Sequence, residues 1–157
     1  MRLAARCCIV GMCLFFSGCD KNNVFEGKKD FEARYWVFND PAVFEFDISN
    51  LQYKYDLSLN VRTTGDYKFQ NLYIQYYLED STGQLVNEDL KNVQLFHPVT
   101  GVPVGNGIGG HYDVTRTFLE DYSFTRRGRY VLRIDQFMRI DTLQEVLSVG
   151  FRIEKSE

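Results

Sequence analysis

Residues 53–62 alternate without interruption between apolar and polar side chains over ten positions. The apolar members are Tyr53, Tyr55, Leu57, Leu59 and Val61. Successive side chains of a β-strand point to opposite faces, whereas a helix repeats every 3.6 residues, so this pattern predicts a strand with one buried face. The fold must therefore contain a β-sheet whose apolar face packs against another part of the chain.

The same period of two recurs along the chain and predicts an all-β fold. Further strands are expected at residues 43–48, 72–79, 84–86, 93–96, 112–118, 130–138 and 147–153. The inward side chains are Phe44, Phe46, Ile48, Leu72, Ile74, Tyr76, Leu78, Tyr130, Leu132, Ile134, Leu147, Val149, Phe151 and Ile153. Turn residues at 63–66 and 80–83 separate several of these strands. Only residues 118–122 and 143–147 can form short helical turns.

Seven to nine short strands, each with one apolar face, predict an antiparallel β-sandwich with immunoglobulin-like or jelly-roll-like connections. A barrel is the alternative. The 13 Phe and 10 Tyr favour strands. The 157 residues, less a leader, suffice for one domain.

The first eighteen residues differ from the rest of the chain and read as a signal peptide. Arg2 and Arg6 precede an apolar run at residues 7–16 that is too short to span a bilayer as a mature helix. The run ends in Phe16-Ser17-Gly18-Cys19, where small residues precede a cysteine, as a lipoprotein signal peptidase requires. A membrane anchor that is never cleaved is the alternative.

Cleavage before Cys19 leaves this residue as the attachment point for lipid. The other cysteines, at positions 7, 8 and 13, lie in the leader, so the mature domain has no disulfide. Acyl chains on Cys19 anchor the protein because each buried methylene contributes about 0.8 kcal/mol. We therefore expect a signal peptide at residues 1–18, a polar lipidated tether at 19–30 and one domain at 31–157.

Several function classes lack support in the sequence. The formal net charge of −3 and the absence of a basic cluster exclude a footprint for nucleic acid. The glycine-rich segment 105–110 precedes a strand pattern, unlike a phosphate-binding loop, and is expected to be a loop. His97 and His111 lack metal or catalytic spacing. We expect no catalytic residue, metal or other cofactor.

Outward aromatic residues are the candidate binding positions. Tyr73 and Tyr77 fall on the outer face of the strand after Asn71, and with Trp36 they can form a platform for a sugar or a protein partner. A glycoside hydrolase requires two facing carboxylates. The acids available for such a pair are Glu79, Glu88, Asp89, Glu120, Asp121 and Asp135.

A set of motifs follows in a characteristic order along the chain. They are the lipobox, Tyr35-Trp36, Tyr55 through Arg62, Tyr67, Asn71-Leu72, Gly128-Arg129-Tyr130, Gln136-Phe137-Met138-Arg139, Leu143 and residues 149–155. In these motifs the chain resembles the gliding-motility lipoprotein GldH family of the Bacteroidetes. We expect Arg139 to hydrogen-bond carbonyl groups of the link toward Leu143.

The resemblance implies a lipid-anchored cell-envelope protein without assigned catalytic residues, in which only Cys19 carries over as a functional position. Such a protein is expected to act as an assembly or structural component of the gliding or secretion machinery, with envelope proteins as partners. An outer-membrane position facing the periplasm is preferred. A carbohydrate-binding lipoprotein that uses exposed aromatics is the alternative.

Overall fold

The computed structural model describes residues 21–156, and this part of the chain forms eleven β-strands and no helix. The strands are β1 (Asn23–Asp30), β2 (Tyr35–Val37), β3 (Ala42–Ile48), β4 (Tyr55–Thr64), β5 (Asn71–Glu79), β6 (Leu85–Gln94), β7 (Asn106–Ile108), β8 (His111–Tyr122), β9 (Gly128–Gln136), β10 (Thr142–Gln144) and β11 (Val146–Lys155). Eight strands have at least seven residues. The all-β prediction is confirmed.

The strands pair as one long, nested hairpin. The hairpin closes at the β5–β6 turn, and moving outward β4 pairs with β8, β3 with β9, β2 with β10, and β1 with β11, all antiparallel. The resulting double-stranded ribbon folds into sheets of order β1-β11-β4-β8-β7 and β3-β9-β5-β6, with β2 and β10 as a separate pair. This winding is that of a jelly roll, which decides between the two expected sandwich topologies. The alternative of one closed barrel is wrong.

The core lies between the two large sheets and is rich in aromatic rings. Phe151 of β11 packs against Phe44 and Phe46 of β3, with ring centroids 5.7 and 5.5 Å apart. In the same core, Phe118 of β8 lies 4.8 Å from Tyr76 of β5 and 6.2 Å from Phe151, measured between ring centroids. The inward residues predicted for residues 43–48, 55–61 and 72–78 are all buried.

The predicted tether is wrong from Asn23 onward. Residues 23–30 form β1, which pairs with β11 along its whole length, from Asn23 opposite Glu154 to Asp30 opposite Ser148. Polar outward residues conceal this strand in the sequence, because β1 is an edge strand and Gly27 interrupts its apolar positions. Only residues 20–22 therefore separate Cys19 from the folded domain, which begins before Phe31.

Other local predictions also need correction. Residues 118–122 continue β8 and residues 143–147 belong to β10 and β11, so neither forms a helical turn. Leu147 is only half-buried because the pairing of β11 with β4 shifts between Val146 and Ser148, which turns Val146 inward in place of Leu147. Tyr53 precedes β4 and is 45% exposed, with the Lys155 ammonium 4.6 Å from its ring centroid.

The predicted signal peptide at residues 1–18 and the lipid attachment at Cys19 lie outside the described residues. Within residues 21–156, no helix is long and apolar enough to cross a membrane.

Candidate interaction surface

The alternation of β5 places both predicted tyrosines on the outer face of the four-stranded sheet. Tyr73 is 39% exposed, whereas Tyr77 is half-buried. The guanidinium of Arg133, on neighbouring β9, lies 4.3 Å from the centroid of the Tyr77 ring. One face of Tyr77 is therefore occupied by a cation–π contact, and Tyr73 is the more accessible ring.

Trp36 does not join this surface, contrary to the prediction of an aromatic platform. Its side chain is fully buried, stacks on Phe31 at 5.3 Å and donates a hydrogen bond from Nε1 to the carbonyl oxygen of Asp40 at 2.8 Å. The reason is that β2 pairs with β10, with Trp36 opposite Leu143, and this pair covers one end of the core. Trp36 is a structural residue.

An apolar groove surrounds Tyr73, with a volume of about 490 Å³. Its lining comes from the segment before β5, from β5 and β6, and from the segment after β9. The residues are Phe69, Tyr73, Leu90, Phe137, Met138, Arg139 and Ile140. Five large apolar side chains are thus exposed together at one place on the sheet, and we call this the Tyr73 groove.

Gln136 holds the segment that forms one wall of the Tyr73 groove. Its side chain is fully buried; Nε2 donates to the Ile140 carbonyl oxygen and Oε1 accepts from the Met138 amide, each at 2.9 Å. The Phe137 amide donates to the Tyr73 carbonyl oxygen at 2.7 Å, and the Tyr73 amide lies 3.3 Å from Met138 Sδ. The wall is consequently fixed to β5 by hydrogen bonds.

This arrangement corrects the expectation for Arg139. No hydrogen bond or ion pair reaches its side chain from the described part of the chain, and the carbonyl group of the link toward Leu143 is bound by Gln136 instead. Gln136 is the last residue of β9 and points inward. Its side-chain amide hydrogen-bonds to backbone groups beyond the strand, which have no partner in a neighbouring strand of the described chain. The motif Gln136–Arg139 thus builds the groove wall.

A smaller, more polar hollow of about 300 Å³ adjoins the Tyr73 groove, and Phe137 lines both. Its charged residues are Arg133 and Asp135, with Arg133 Nε 3.2 Å from Asp135 Oδ2. Burial raises the pKa of the Asp135 carboxyl, and the Arg133 guanidinium opposes that increase. The charged groups of this hollow therefore already have partners, since Arg133 and Asp135 pair with each other and the Arg133 guanidinium also lies over the Tyr77 ring.

Two of the other acids considered for catalysis lie beside lysines. Asp89 forms an ion pair with Lys91 at 2.7 Å, and Asp121 lies 3.9 Å from Lys54. The hydrogen bond from Lys91 lowers the pKa of the Asp89 carboxyl, which favours its charged form. These contacts are typical of solvated ion pairs on a surface.

His97 and the glycine-rich segment have local structural roles. His97 Nδ1 lies 3.4 Å from the amides of Val99 and Thr100, within the turn that follows β6. The segment 105–110 forms a tight hairpin, since β7 pairs with the start of β8 at His111. A Cβ at Gly105 would lie 1.9 Å from the Asp113 carbonyl oxygen, so only glycine fits there. Among the described residues, no group of three potential metal ligands is assembled.

Sequence reasoning identified Tyr73 but missed most of the groove. Phe69 and Leu90 were not singled out, and Phe137 and Ile140 were not connected with Tyr73, which is more than sixty positions away from both. Their meeting depends on the pairing of β5 with β6 and β9. The available signal was the Gln136–Arg139 motif, which stands at the groove wall.

The sequence of this chain matches a known protein family. The family model described as GldH lipoprotein matches residues 23–153, the part of the chain that forms the sandwich. The chain belongs to the GldH lipoprotein family. The resemblance inferred from the motifs is confirmed.

Two curated relatives share nearly their full length with this GldH-family chain. It is 31% identical to the gliding motility lipoprotein GldH homolog of Christiangramia forsetii, over 92% of this chain and 91% of the relative. It is 29% identical to gliding motility lipoprotein GldH of Flavobacterium johnsoniae, with the same coverage. Among solved structures, tailspike protein 4 of bacteriophage CBA120 aligns at a TM-score of 0.31 and 11% identity, over 85% of this chain and 18% of the tailspike chain.

Proposed function

We propose that this GldH-family chain is a lipid-anchored cell-envelope protein that serves as a non-catalytic assembly or structural component of a gliding or secretion machinery. The observation that carries this proposal is the family match over residues 23–153, supported by two relatives named as gliding motility lipoproteins. The groove around Tyr73 supports a role in binding, because exposed clusters of large apolar side chains mark interaction sites.

The proposed anchor is the lipid on Cys19, after removal of the signal peptide at residues 1–18. Two or more acyl chains hold a protein stably in a membrane, whereas one holds it only marginally. We place the domain on the periplasmic face of the outer membrane. Metabolic labelling with a palmitate analogue is expected to label the wild type and to leave Cys19→Ala unlabelled.

A crosslinking pull-down of the tagged protein from native membranes tests the assembly role, with Cys19→Ala as the unanchored control. We expect the anchored form to recover motility or secretion components that are absent from the control. Recovery of no such component, or equal recovery with both forms, contradicts the proposal. Membrane fractionation of the same samples tests the proposed outer-membrane location.

Carbohydrate binding is the second candidate, because the exposed Tyr73 ring lies beside the half-buried Tyr77 on one sheet face. A glycan array probed with the purified domain tests it. Binding that disappears in Tyr73→Ala or Tyr77→Ala, with unchanged thermal unfolding, supports this candidate. Absence of binding by the wild type removes it.

A further inference from the structure

We infer that the Tyr73 groove is the docking site for an apolar segment of a protein partner that carries a carboxylate, which binds Arg139. The inference rests on the proposed function, since it specifies the chemistry of the partner that an assembly component recruits. Aromatic residues, methionine and arginine are enriched in the centres of protein interfaces, and the groove lining consists of these residue types with leucine and isoleucine.

The size of the groove favours a segment over a whole protein face. Phe69, Tyr73, Leu90, Phe137 and Ile140 are each between 37% and 50% exposed. Since aromatic side chains bury about 150–250 Å² each and Leu and Ile are smaller, the five residues together expose on the order of 400 Å². A standard interface buries about 800 Å² on each partner, so a second copy of this chain needs roughly twice the surface available.

The charge of the groove selects an acidic partner. Arg139 is the one charged residue among the seven that line it. Its guanidinium is exposed, and none of the residues at 21–156 gives it a hydrogen bond or an ion pair. Nearby Arg133 is already engaged by Asp135 and the Tyr77 ring. A carboxylate offers the planar, two-oxygen acceptor that a guanidinium binds in a bidentate manner.

The groove is shaped before any partner arrives. The buried Gln136 amide fixes Met138 and Ile140, and backbone hydrogen bonds fix Phe137 to Tyr73. A surface whose wall is held in place loses little conformational entropy on binding. The Met138 thioether contributes a polarizable surface that adapts to different apolar side chains.

Binding occurs through side chains and does not add a strand to the sheet at this place. β6 is the edge strand beside the groove, but the Leu90 amide is already bound by the Asp89 carboxylate at 2.8 Å. Lys91 in turn pairs with Asp89 at 2.7 Å. Charged side chains that cover an edge strand oppose pairing with another backbone.

The groove lies at the end of the sandwich opposite the proposed lipid. β1 starts beside Glu154, and Lys155 pairs with Tyr55, so Asn23 and the start of β4 share one end. The ten residues of β4 lead to the other end, about 30 Å away, where β5 begins and β9 finishes. Residues 20–22 span at most about 10 Å when extended, so the end of the domain that holds Asn23 stays near the proposed lipid, and the groove lies at the far end.

Peptide display on the purified wild-type domain provides the test, with a library of random twelve-residue peptides as the probe. We expect selected peptides to share apolar residues with an Asp or Glu. Selection on Arg139→Glu is expected to replace that acid by Lys or Arg, whereas the control Arg127→Glu leaves it unchanged. Arg127 is likewise exposed, but lies in the turn before β9, at the other end of the sandwich.

Two leucines of β6 provide the matched control for the apolar part, because Leu90 lines the groove, Leu85 does not, and both are 44% exposed. Leu90→Ser is expected to weaken binding of a selected peptide at least tenfold, and Leu85→Ser less than twofold. Thermal unfolding identifies any variant that fails to fold. Equal effects of the two serine variants contradict the inference, as does a consensus that Arg139→Glu leaves unchanged.

The same variants distinguish other occupants. Binding of laurate that is lost in Leu90→Ser, without selection of acidic peptides, assigns the groove to a lipid and overturns the inference. Dimerisation that is lost in Leu90→Ser, seen by sedimentation equilibrium, assigns it to a second copy and likewise overturns it. The pull-down with Cys19→Ala reports separately on the assembly role, because peptide display does not depend on the anchor.

Discussion

The outer faces of the two sheets differ in how their side chains are satisfied. On the five-stranded sheet, directly paired polar residues of β4 and β8 bind each other across the strands. The pairs are Ser58 with Thr117, Asn60 with Thr115 and Arg62 with Asp113, at 3.0, 3.0 and 2.9 Å. On the four-stranded sheet, the corresponding region carries the Tyr73 groove, with exposed rings and the Arg139 guanidinium, which has no partner among residues 21–156.

The polar side chains of the first face already have hydrogen-bond partners, whereas the second face exposes surface that a binding partner can cover. Cross-strand polar pairs use their hydrogen-bonding capacity within the sheet and leave little for a ligand to gain. Exposed rings and an unpaired arginine retain surface whose removal from water is favourable. The outer faces of two sheets in one domain therefore differ in their capacity for binding.

Removing an aromatic ring is expected to destabilise the domain most when the ring lies in the core, and least when it lies on the binding face. Trp36→Ala should lower the free energy of unfolding by about 3–5 kcal/mol, because it empties a fully buried site. Tyr73→Ala, at an exposed ring, should cost less than about 1 kcal/mol. Urea unfolding measures both. Similar losses for the two variants contradict the division of aromatics between core and face.

Gln136→Leu is expected to cost about 2 kcal/mol, since it leaves the Met138 amide and the Ile140 carbonyl without their buried partner. It should also weaken peptide binding, because the groove wall loses its support. Gln144→Leu, at an exposed position of β10, is the control. Urea unfolding that is unchanged in Gln136→Leu shows that the wall does not depend on this amide.

The strands with strict alternation were predictable from sequence, and those without it were not. β3, β4, β5, β9 and much of β11 follow the period of two because one face is buried and the other wet. β1 was missed because edge strands carry lysines, here Lys28 and Lys29. The inward position of Leu147 was wrong because a bulge shifts the register, and a bulge has no reliable signal in one sequence.

The candidate site was predictable only in part. Alternation identifies Tyr73 as outward, but it does not distinguish a free ring from one covered by a neighbour, as Tyr77 is by Arg133. The groove depends on contacts between distant parts of the chain, such as Tyr73 with Phe137. Such contacts follow from strand order, which alternation leaves undetermined. The family motif at Gln136–Arg139 was the signal that remained.

Glu145, between β10 and β11, makes a contact whose strength depends on pH. The Thr64 hydroxyl donates to the Glu145 carboxylate at 2.7 Å; this bond, assisted by Arg34, lowers the pKa of Glu145 below its ordinary 4.5. The stabilisation that this contact provides is therefore complete above pH 4.5. It is lost as the pH falls through the lower pKa that Glu145 has in the folded state.

The Glu145→Gln substitution tests this contact. At neutral pH we expect the variant to be less stable by about 1 kcal/mol, because a charged acceptor is lost. The difference should disappear in acid, as the wild-type carboxylate becomes protonated. Chemical unfolding as a function of pH measures it, with Glu32→Gln, an exposed position before β2, as the control. A difference that persists at low pH refutes the assignment to Glu145 ionisation.

The smallest effect is expected on the polar face. A double-mutant cycle with Arg62→Ala and Asp113→Ala should give a coupling energy below about 1 kcal/mol, since both side chains are partly exposed. Raising the salt concentration should reduce it further. Urea unfolding of the four proteins provides the measurement. A coupling of about 2 kcal/mol or more shows that this face is more tightly organised than its exposure indicates.

The nested ribbon also determines when the domain can be completed. Strand β11 inserts between β1 and β4, so β1 has no sheet to join until β11 is present. Folds dominated by such distant pairings form slowly, on the scale of milliseconds to seconds. If the chain is exported N-terminus first, as the proposed lipoprotein role requires, β1 would emerge long before the strand with which it pairs. The proposed lipid attachment at Cys19 would then precede completion of the five-stranded sheet.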